Sequence, residues 1–130
     1  MSRDVQQSGD LRDESSHAWY QIDRVGDCAV VHAGGEIDAN TVQAFHETET
    51  EAASEASRVV IDLADVTFVD SSGLGALIAA RRSARESGGS LVLVSPPPLV
   101  RRLLGSTHLD DVFAIYDSLD EAIINGPRQQ

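Results

Sequence analysis

One turn of the chain combines an acid, two hydroxyls and a glycine: Asp70, Ser71, Ser72 and Gly73. An apolar, β-branched run at residues 66–69 precedes this turn, and a small, apolar, helix-like segment follows it at once. The pattern predicts that a strand ends here and a helix begins, with Asp70 or Ser71 as its cap. A helix start also favours added negative charge. The Ser71 hydroxyl therefore has two candidate uses, as a helix cap or as an acceptor of phosphate.

These two uses are compatible, because a hydroxyl can cap a helix in one state and carry phosphate in the other. Phosphorylation would add about −1.5 to −2 charge at pH 7, which the free N–H groups of a helix start tolerate. Asp70 has two interpretations of its own: it caps the helix, or it orients the Ser71 hydroxyl and takes its proton. We interpret Ser72 as structural and Gly73 as a residue that eases the turn.

Other chemistry at Ser71 lacks its partners in the sequence. A serine hydrolase elbow needs glycine two residues before the serine, and Val69 stands there. The four histidines are scattered without the i, i+4 spacing of a helical metal site, and Cys28 is the single cysteine. The chain has no lysine for a phosphate-binding loop or for Schiff-base chemistry. We therefore predict no catalytic residue, no metal and no cofactor.

Composition narrows the partners further. The 130 residues are the size of one domain, and 10 basic against 21 acidic residues give a net charge of −11. Such a balance argues against nucleic acid and against an anionic membrane surface. A single cysteine fits a reducing compartment, and we recognise neither a signal peptide nor an apolar run of about 18 residues. We expect a cytoplasmic protein without membrane association, and a monomer by default.

Strand and helix patterns alternate along the rest of the chain in the order β, β, α, β, α, β, α, β, α. This alternation predicts an α/β fold with a mixed, mostly parallel sheet of four to five strands and helices packed against it. Residues 18–126 are the predicted domain. Residues 1–17 are predicted to be a disordered polar tail and residues 127–130 a frayed C-terminus.

Local signals also predict where individual elements end. Gly34-Gly35 is expected to break the second strand, and Asp38 or Asn40 to cap the helix that follows it. Gly105 is expected to end a short, proline-led helix. Three arginines, at positions 81, 82 and 85, fall in the last turns of the helix that begins near Ser71, where cations favour the helix dipole.

Four segments resemble, in order, the motifs of the STAS domain family, the anti-sigma factor antagonists. They are Gly-Glu-Ile-Asp at 35–38, the run at 61–75 that contains Asp-Ser-Ser-Gly, Gly-Gly-Ser-Leu-Val-Leu at 88–93, and the proline-led helix at 95–104. The resemblance covers about residues 18–125. The chain departs from the family in its polar tail and in the extra prolines Pro97 and Pro98, none of which touches the key turn.

The resemblance implies a bacterial regulatory binding protein, not an enzyme, that acts on transcription in a stress response. Such an antagonist binds an anti-sigma factor that is also a serine kinase, and binding releases a sigma factor. Phosphorylation of the first serine after the aspartate, here Ser71, ends binding, and a PP2C-type phosphatase restores it. The implied partner-binding residues are Asp38, Asp70, Ser71, Ser72 and Gly73.

Two other functions stay open. The first is a STAS subunit of a lipid-transport complex or of a stressosome-like scaffold, with permanent partners. The short chain disfavours the stressosome, whereas the intact turn does not exclude the transport subunit. The second is an enzyme that uses Ser71 as its nucleophile, which the missing elbow glycine and the scattered histidines disfavour.

Overall fold

Five strands form one sheet in a computed structural model of the chain, which describes residues 17–126. The strands are β1 (Ala18–Val25), β2 (Cys28–Ile37), β3 (Arg58–Val69), β4 (Ser90–Val94) and β5 (Ile115–Tyr116). The helices are α1 (Val42–Glu55), α2 (Ser71–Glu86), α3 (Pro98–Ser106) and α4 (Leu119–Asn125), with a 3-10 turn at Leu109–Asp111.

The strands lie in the sheet in the order β1-β2-β3-β4-β5. β1 runs antiparallel to β2, and the other three neighbouring pairs are parallel. The predicted α/β fold with a mixed, mostly parallel sheet is therefore confirmed. The predicted frayed C-terminus and the predicted tail, apart from His17, lie outside the described residues.

Helices cover both faces of the sheet. α1, α2 and α3 contribute Phe45, Leu77 and Leu104 to the larger core on one face. α4 contributes Ala122 to a smaller cluster on the other face, where it meets Val60 among others. Because both faces of β3 are covered, residues 59–61 form a continuous apolar run and not an alternating pattern.

The sequence predicted that the second strand breaks at Gly34-Gly35. This prediction is wrong, because β2 continues to Ile37. Gly34 lies against the ring of Trp19, where a Cβ would collide with the indole. Gly35 has a φ of +83°, and the register against β3 shifts around this pair. The two glycines therefore permit an irregularity and a close approach inside a strand, a known use of glycine in sheets.

Two predicted helix ends are also wrong. Thr41, not Asp38 or Asn40, occupies the N-cap position of α1. Gly105 lies inside α3, which continues because the Thr107 N–H still donates to the Leu103 carbonyl oxygen at 3.1 Å. A glycine weakens a helix only modestly, so the hydrogen bonds of the turn decide the boundary.

Candidate functional site

Two strand-to-helix junctions lie side by side at the carboxyl edge of the parallel strands. β2 ends at Ile37 and β3 at Val69, and these two residues are register partners. Asp38 follows the first strand and Asp70 follows the second, and the Asp70 N–H donates to the Ile37 carbonyl oxygen at 3.2 Å. The structure thus brings Asp38 next to the turn at residues 70–73, although the two are 32 residues apart.

Asp70 is the N-cap of α2. Its backbone is extended, with φ −102° and ψ −170°, and its Oδ1 accepts a hydrogen bond from the Gly73 N–H at 3.1 Å. Its carbonyl oxygen accepts from the Leu74 N–H at 2.9 Å, which starts the helical ladder. Of the two predicted caps, Asp70 rather than Ser71 has this position, and the Ser71 hydroxyl is left for another use.

Ser71 is the first residue of α2 and is exposed. Within the described part of the chain, its hydroxyl has no hydrogen-bond partner. Ser72, the next residue, is half-buried. The first N–H groups of a helix have no partner inside the helix, so both serines lie where the backbone presents free donors. An added anion on the Ser71 oxygen would be favoured by these donors and by the helix dipole.

Gly73 holds α2 against the end of β2. It is buried, and a Cβ at this position would collide with the Ile37 carbonyl oxygen and lie 2.8 Å from Val69 Cγ1. The predicted role of Gly73 in easing the turn is thus replaced by a packing role. Only glycine lets the helix start come this close to the neighbouring strand.

Asp38 and Thr41 close the first junction with their own hydrogen bonds. Asp38 Oδ1 accepts from the N–H groups of Asn40 and Thr41, at 2.9 and 3.2 Å. The buried Thr41 hydroxyl donates to the Glu36 carbonyl oxygen at 2.6 Å. The sequence analysis missed Thr41, for which the spacing Asp-x-x-Thr was the available signal. The half-buried Asp38 carboxylate remains in reach of solvent.

Tyr20 lies beneath this first junction. Burial raises the pKa of its phenol to about 12; the negative charge of Asp38 adds to the rise, and the Thr41 hydroxyl partly offsets it. Its ring packs against Phe45 at a centroid distance of 5.8 Å. Tyr20 is therefore a neutral packing residue at neutral pH, which supports the backbone that carries Asp38.

An apolar groove opens beside the second junction. It has a volume of about 140 Å³ and is lined by Phe68, Val69, Leu99, Val100 and Leu103. Phe68 and Leu99 are 44% and 53% exposed. Exposed aromatic and aliphatic side chains beside a free hydroxyl are typical of a surface that contacts another protein. The sequence analysis missed this groove because its residues come from two separate elements.

The described residues lack two arrangements that some enzymes use. Within residues 17–126, no group of three His, Cys, Asp or Glu side chains could hold a metal ion. The His32 ring bridges Asp62 and Asp23, at 2.7 and 3.2 Å, and not Ser71. Among the hydrogen bonds of residues 17–126, none joins a histidine to Ser71 as the base–nucleophile pair of a serine enzyme would require. Among the helices of this part of the chain, none is both long and apolar enough to cross a membrane.

Comparison with known proteins gives one consistent family. The sequence model of the STAS domain matches residues 20–122. A Thermotoga maritima protein, provisionally named an anti-sigma factor antagonist, is 39% identical over 67 residues. This match covers 52% of the chain and 59% of that relative, so the chain spans less than two thirds of its length. The anti-sigma-B factor antagonist of Bacillus subtilis is 32% identical over 85 residues, which are 65% of the chain and 78% of that protein.

A solved structure agrees with these sequence matches. The crystal structure of an anti-sigma factor antagonist from Mycobacterium paratuberculosis superposes with a TM-score of 0.75 at 30% identity. The superposition covers 82% of the chain and 92% of that structure.

Proposed function

The chain belongs to the STAS domain family, and from this premise we propose that it is an anti-sigma factor antagonist controlled by phosphorylation of Ser71. The unphosphorylated protein binds an anti-sigma factor that has serine kinase activity, and a sigma factor is released. Phosphorylated at Ser71, the protein loses this partner, and a PP2C-type phosphatase returns it to the binding form.

One observation carries the proposal: the Ser71 hydroxyl is exposed and lacks a hydrogen-bond partner among the described residues. The cap at this helix start is Asp70, so phosphate on Ser71 would break no side-chain bond. In the transfer, the Ser71 oxygen forms a bond to the γ-phosphorus of ATP while the bond to ADP breaks. The hydroxyl proton goes to a carboxylate, and the neighbouring Asp70 is our candidate acceptor.

The surface around Ser71 supports a protein partner. The exposed Phe68 lies three residues before the hydroxyl and lines the apolar groove together with the exposed Leu99. Aromatic and aliphatic side chains in such positions supply much of the binding energy of protein interfaces. On the other side of the turn, the Asp38 carboxylate is partly exposed at the adjoining junction. Asp38, Asp70, Ser71 and Ser72 would face the partner, and Gly73 would hold the helix start in place.

The switch follows from the cost of burying charge. In the complex, the Ser71 hydroxyl would be removed from water, and the free-energy cost of this desolvation is small because the group is neutral. A phosphate in the same position adds about two negative charges to a desolvated interface, where an unpaired charge costs several kcal/mol. Since each 1.4 kcal/mol lowers affinity about tenfold, phosphorylation is expected to weaken binding by about a hundredfold or more.

Phosphorylation and binding assays test the proposal directly. The purified chain is incubated with ATP and each serine-kinase anti-sigma factor of the source genome, and the modified residue is located by mass spectrometry. We expect phosphate on Ser71, tight binding by Ser71→Ala, and weak binding by Ser71→Asp. Ser72→Ala is the matched control, which should still be phosphorylated.

Two results would contradict the proposal. One is the absence of phosphate on Ser71 with every kinase tested, and the other is Ser71→Asp that binds as tightly as the wild type. Co-purification from the native cells with a transporter ATPase, and without a kinase, would favour a transport subunit instead.

A further inference from the structure

α2 presents one exposed stripe opposite the side that it buries. Its buried residues are Gly73, Leu77, Ala80 and Ala84. At 100° per residue, the opposite side of the helix carries Ser71, Gly75, Ile78, Arg82 and Arg85, all of them at least partly exposed. The stripe thus begins at the hydroxyl, is small or apolar in its middle, and ends in two guanidinium groups.

The cationic end of the stripe contrasts with the rest of the molecule. α2 has three arginines and one acid, Glu86, in a chain with a net charge of −11. Within the described residues, the guanidinium groups of Arg82 and Arg85 form no ion pair, whereas Arg58 and Arg101 each pair with an aspartate. These two positive charges are therefore available to another molecule.

We propose that Arg82 and Arg85 dock an acidic patch of the anti-sigma factor and so set the register in which Ser71 meets the kinase site. This inference rests on the proposed function and adds the chemistry that selects the partner. With a rise of about 1.5 Å per residue, Arg82 and Arg85 lie about 16 and 21 Å from Ser71 along the helix axis. The acidic patch therefore lies at this distance from the bound γ-phosphate of ATP.

Charge complementarity supports this choice of partner surface. A chain with a net charge of −11 repels an acidic surface unless a local positive patch faces it, and such patches steer association and fix orientation. The separation of about 16 Å exceeds the Debye length of about 8 Å at physiological salt. The arginines thus do not neutralise a phosphate on Ser71, and the new charge acts on the partner.

Single charge reversals test the proposal. Binding of the purified anti-sigma kinase to Arg82→Glu and to Arg85→Glu is measured by surface plasmon resonance at 50 and 500 mM salt. We expect affinity at low salt to fall about tenfold in each variant, mainly through slower association, and the difference to shrink at high salt. The matched control is Arg24→Glu on the edge strand β1, an exposed arginine that is not part of the exposed stripe of α2.

The arginines also favour the dipole of α2, since cations near a helix C-terminus stabilise it. That role would change the melting temperature but not the association rate, so thermal unfolding of the same variants separates the two effects. Affinities for both variants within twofold of Arg24→Glu would overturn the docking proposal while Ser71 phosphorylation still stood. Failure of the wild-type chain to bind any of the kinases would instead contradict the proposed function, and the docking proposal would fail with it.

Discussion

The two junctions at the carboxyl edge of the sheet begin alike and end differently. In each junction, a parallel strand ends at an apolar residue and an aspartate comes next, as Ile37-Asp38 and as Val69-Asp70. In the first, two residues separate the aspartate from the helix cap, and the hydroxyl of that cap, Thr41, is buried and bonded to a carbonyl oxygen. In the second, the aspartate is itself the cap and the next hydroxyl is exposed.

The difference shows that the same kind of strand-to-helix junction can leave a hydroxyl either buried and hydrogen-bonded or exposed to a partner. Where the aspartate caps the helix directly, the following residue starts the helix on its exposed side, and its hydroxyl is not needed by the backbone. Where the turn is longer, the hydroxyl is buried and donates to the backbone, here to the Glu36 carbonyl oxygen. Position relative to the cap, and not residue type alone, makes Ser71 accessible.

The largest expected effect comes from a substitution that disrupts the second junction. Gly73→Ala places a methyl group against the Ile37 carbonyl oxygen. Because this oxygen belongs to the backbone and cannot easily move away, the substitution should lower the free energy of unfolding by about 3 kcal/mol. Gly75→Ala is the matched control, because its Cβ meets open space; there, alanine should raise helix stability by about 0.5–1 kcal/mol. Urea denaturation measures both. Equal effects of the two substitutions would refute the packing role of Gly73.

The next effect compares the two hydroxyls. Thr41→Val keeps the shape of the side chain but leaves the Glu36 carbonyl oxygen without its bond, at a cost of about 2 kcal/mol. Ser71→Ala removes a hydroxyl that has no partner in the described structure, and should change stability by less than about 0.5 kcal/mol. Thermal unfolding of both variants checks this contrast. A loss of stability from Ser71→Ala as large as that from Thr41→Val would mean that the fold also needs the Ser71 hydroxyl.

A smaller effect separates the two interpretations of Asp70. Asp70→Ala removes the bond to the Gly73 N–H and should cost about 1 kcal/mol, whereas Asp70→Asn keeps a competent cap and should cost less than half of that. If the carboxylate also takes the Ser71 proton, Asp70→Asn should slow phosphorylation by about a hundredfold despite its near-native stability. Phosphorylation of Asp70→Asn at the wild-type rate would leave Asp70 as a cap only.

The smallest effect concerns α1, the helix that the first junction starts. Glu49 is buried on this helix, and burial raises the pKa of its carboxyl above the ordinary value of 4.5, although His46 partly offsets the rise. The folded protein then holds this proton more tightly than the unfolded chain does. The contribution of this carboxyl to stability is therefore fully present below pH 4.5 and is lost as pH rises through the raised pKa.

Replacing the carboxyl tests this sign. Glu49→Gln should stabilise the protein at pH 7 by about 0.5 kcal/mol, and this advantage should vanish below pH 4. Urea denaturation at the two pH values measures it, with the exposed Glu47→Gln as the control on the same helix. A variant that is less stable than the wild type at pH 7 would show that the Glu49 carboxylate is stabilised in the fold.

Sequence reasoning succeeded where the signal is local. The Asp-Ser-Ser-Gly turn predicted a strand end and a helix start, because capping and hydrophobic periodicity act within a few residues. The same local logic failed at Gly34-Gly35, where Gly34 permits the contact with Trp19 and Gly35 has a positive φ, while the strand continues. It also misjudged Gly105, since the hydrogen bonds of the following turn outweigh the weak helix propensity of glycine.

The sequence by itself determined the α/β alternation, the family motifs and the place of Ser71 at the start of a helix. Tertiary structure alone decided that Asp38 and Asp70 are neighbours, that Thr41 is buried while Ser71 is exposed, and that Phe68 and Leu99 line one groove. These facts depend on the pairing of β2 with β3 and on the packing of α3 beside them. Such contacts join residues about 30 positions apart, and no local pattern of hydrophobicity or capping encodes that register.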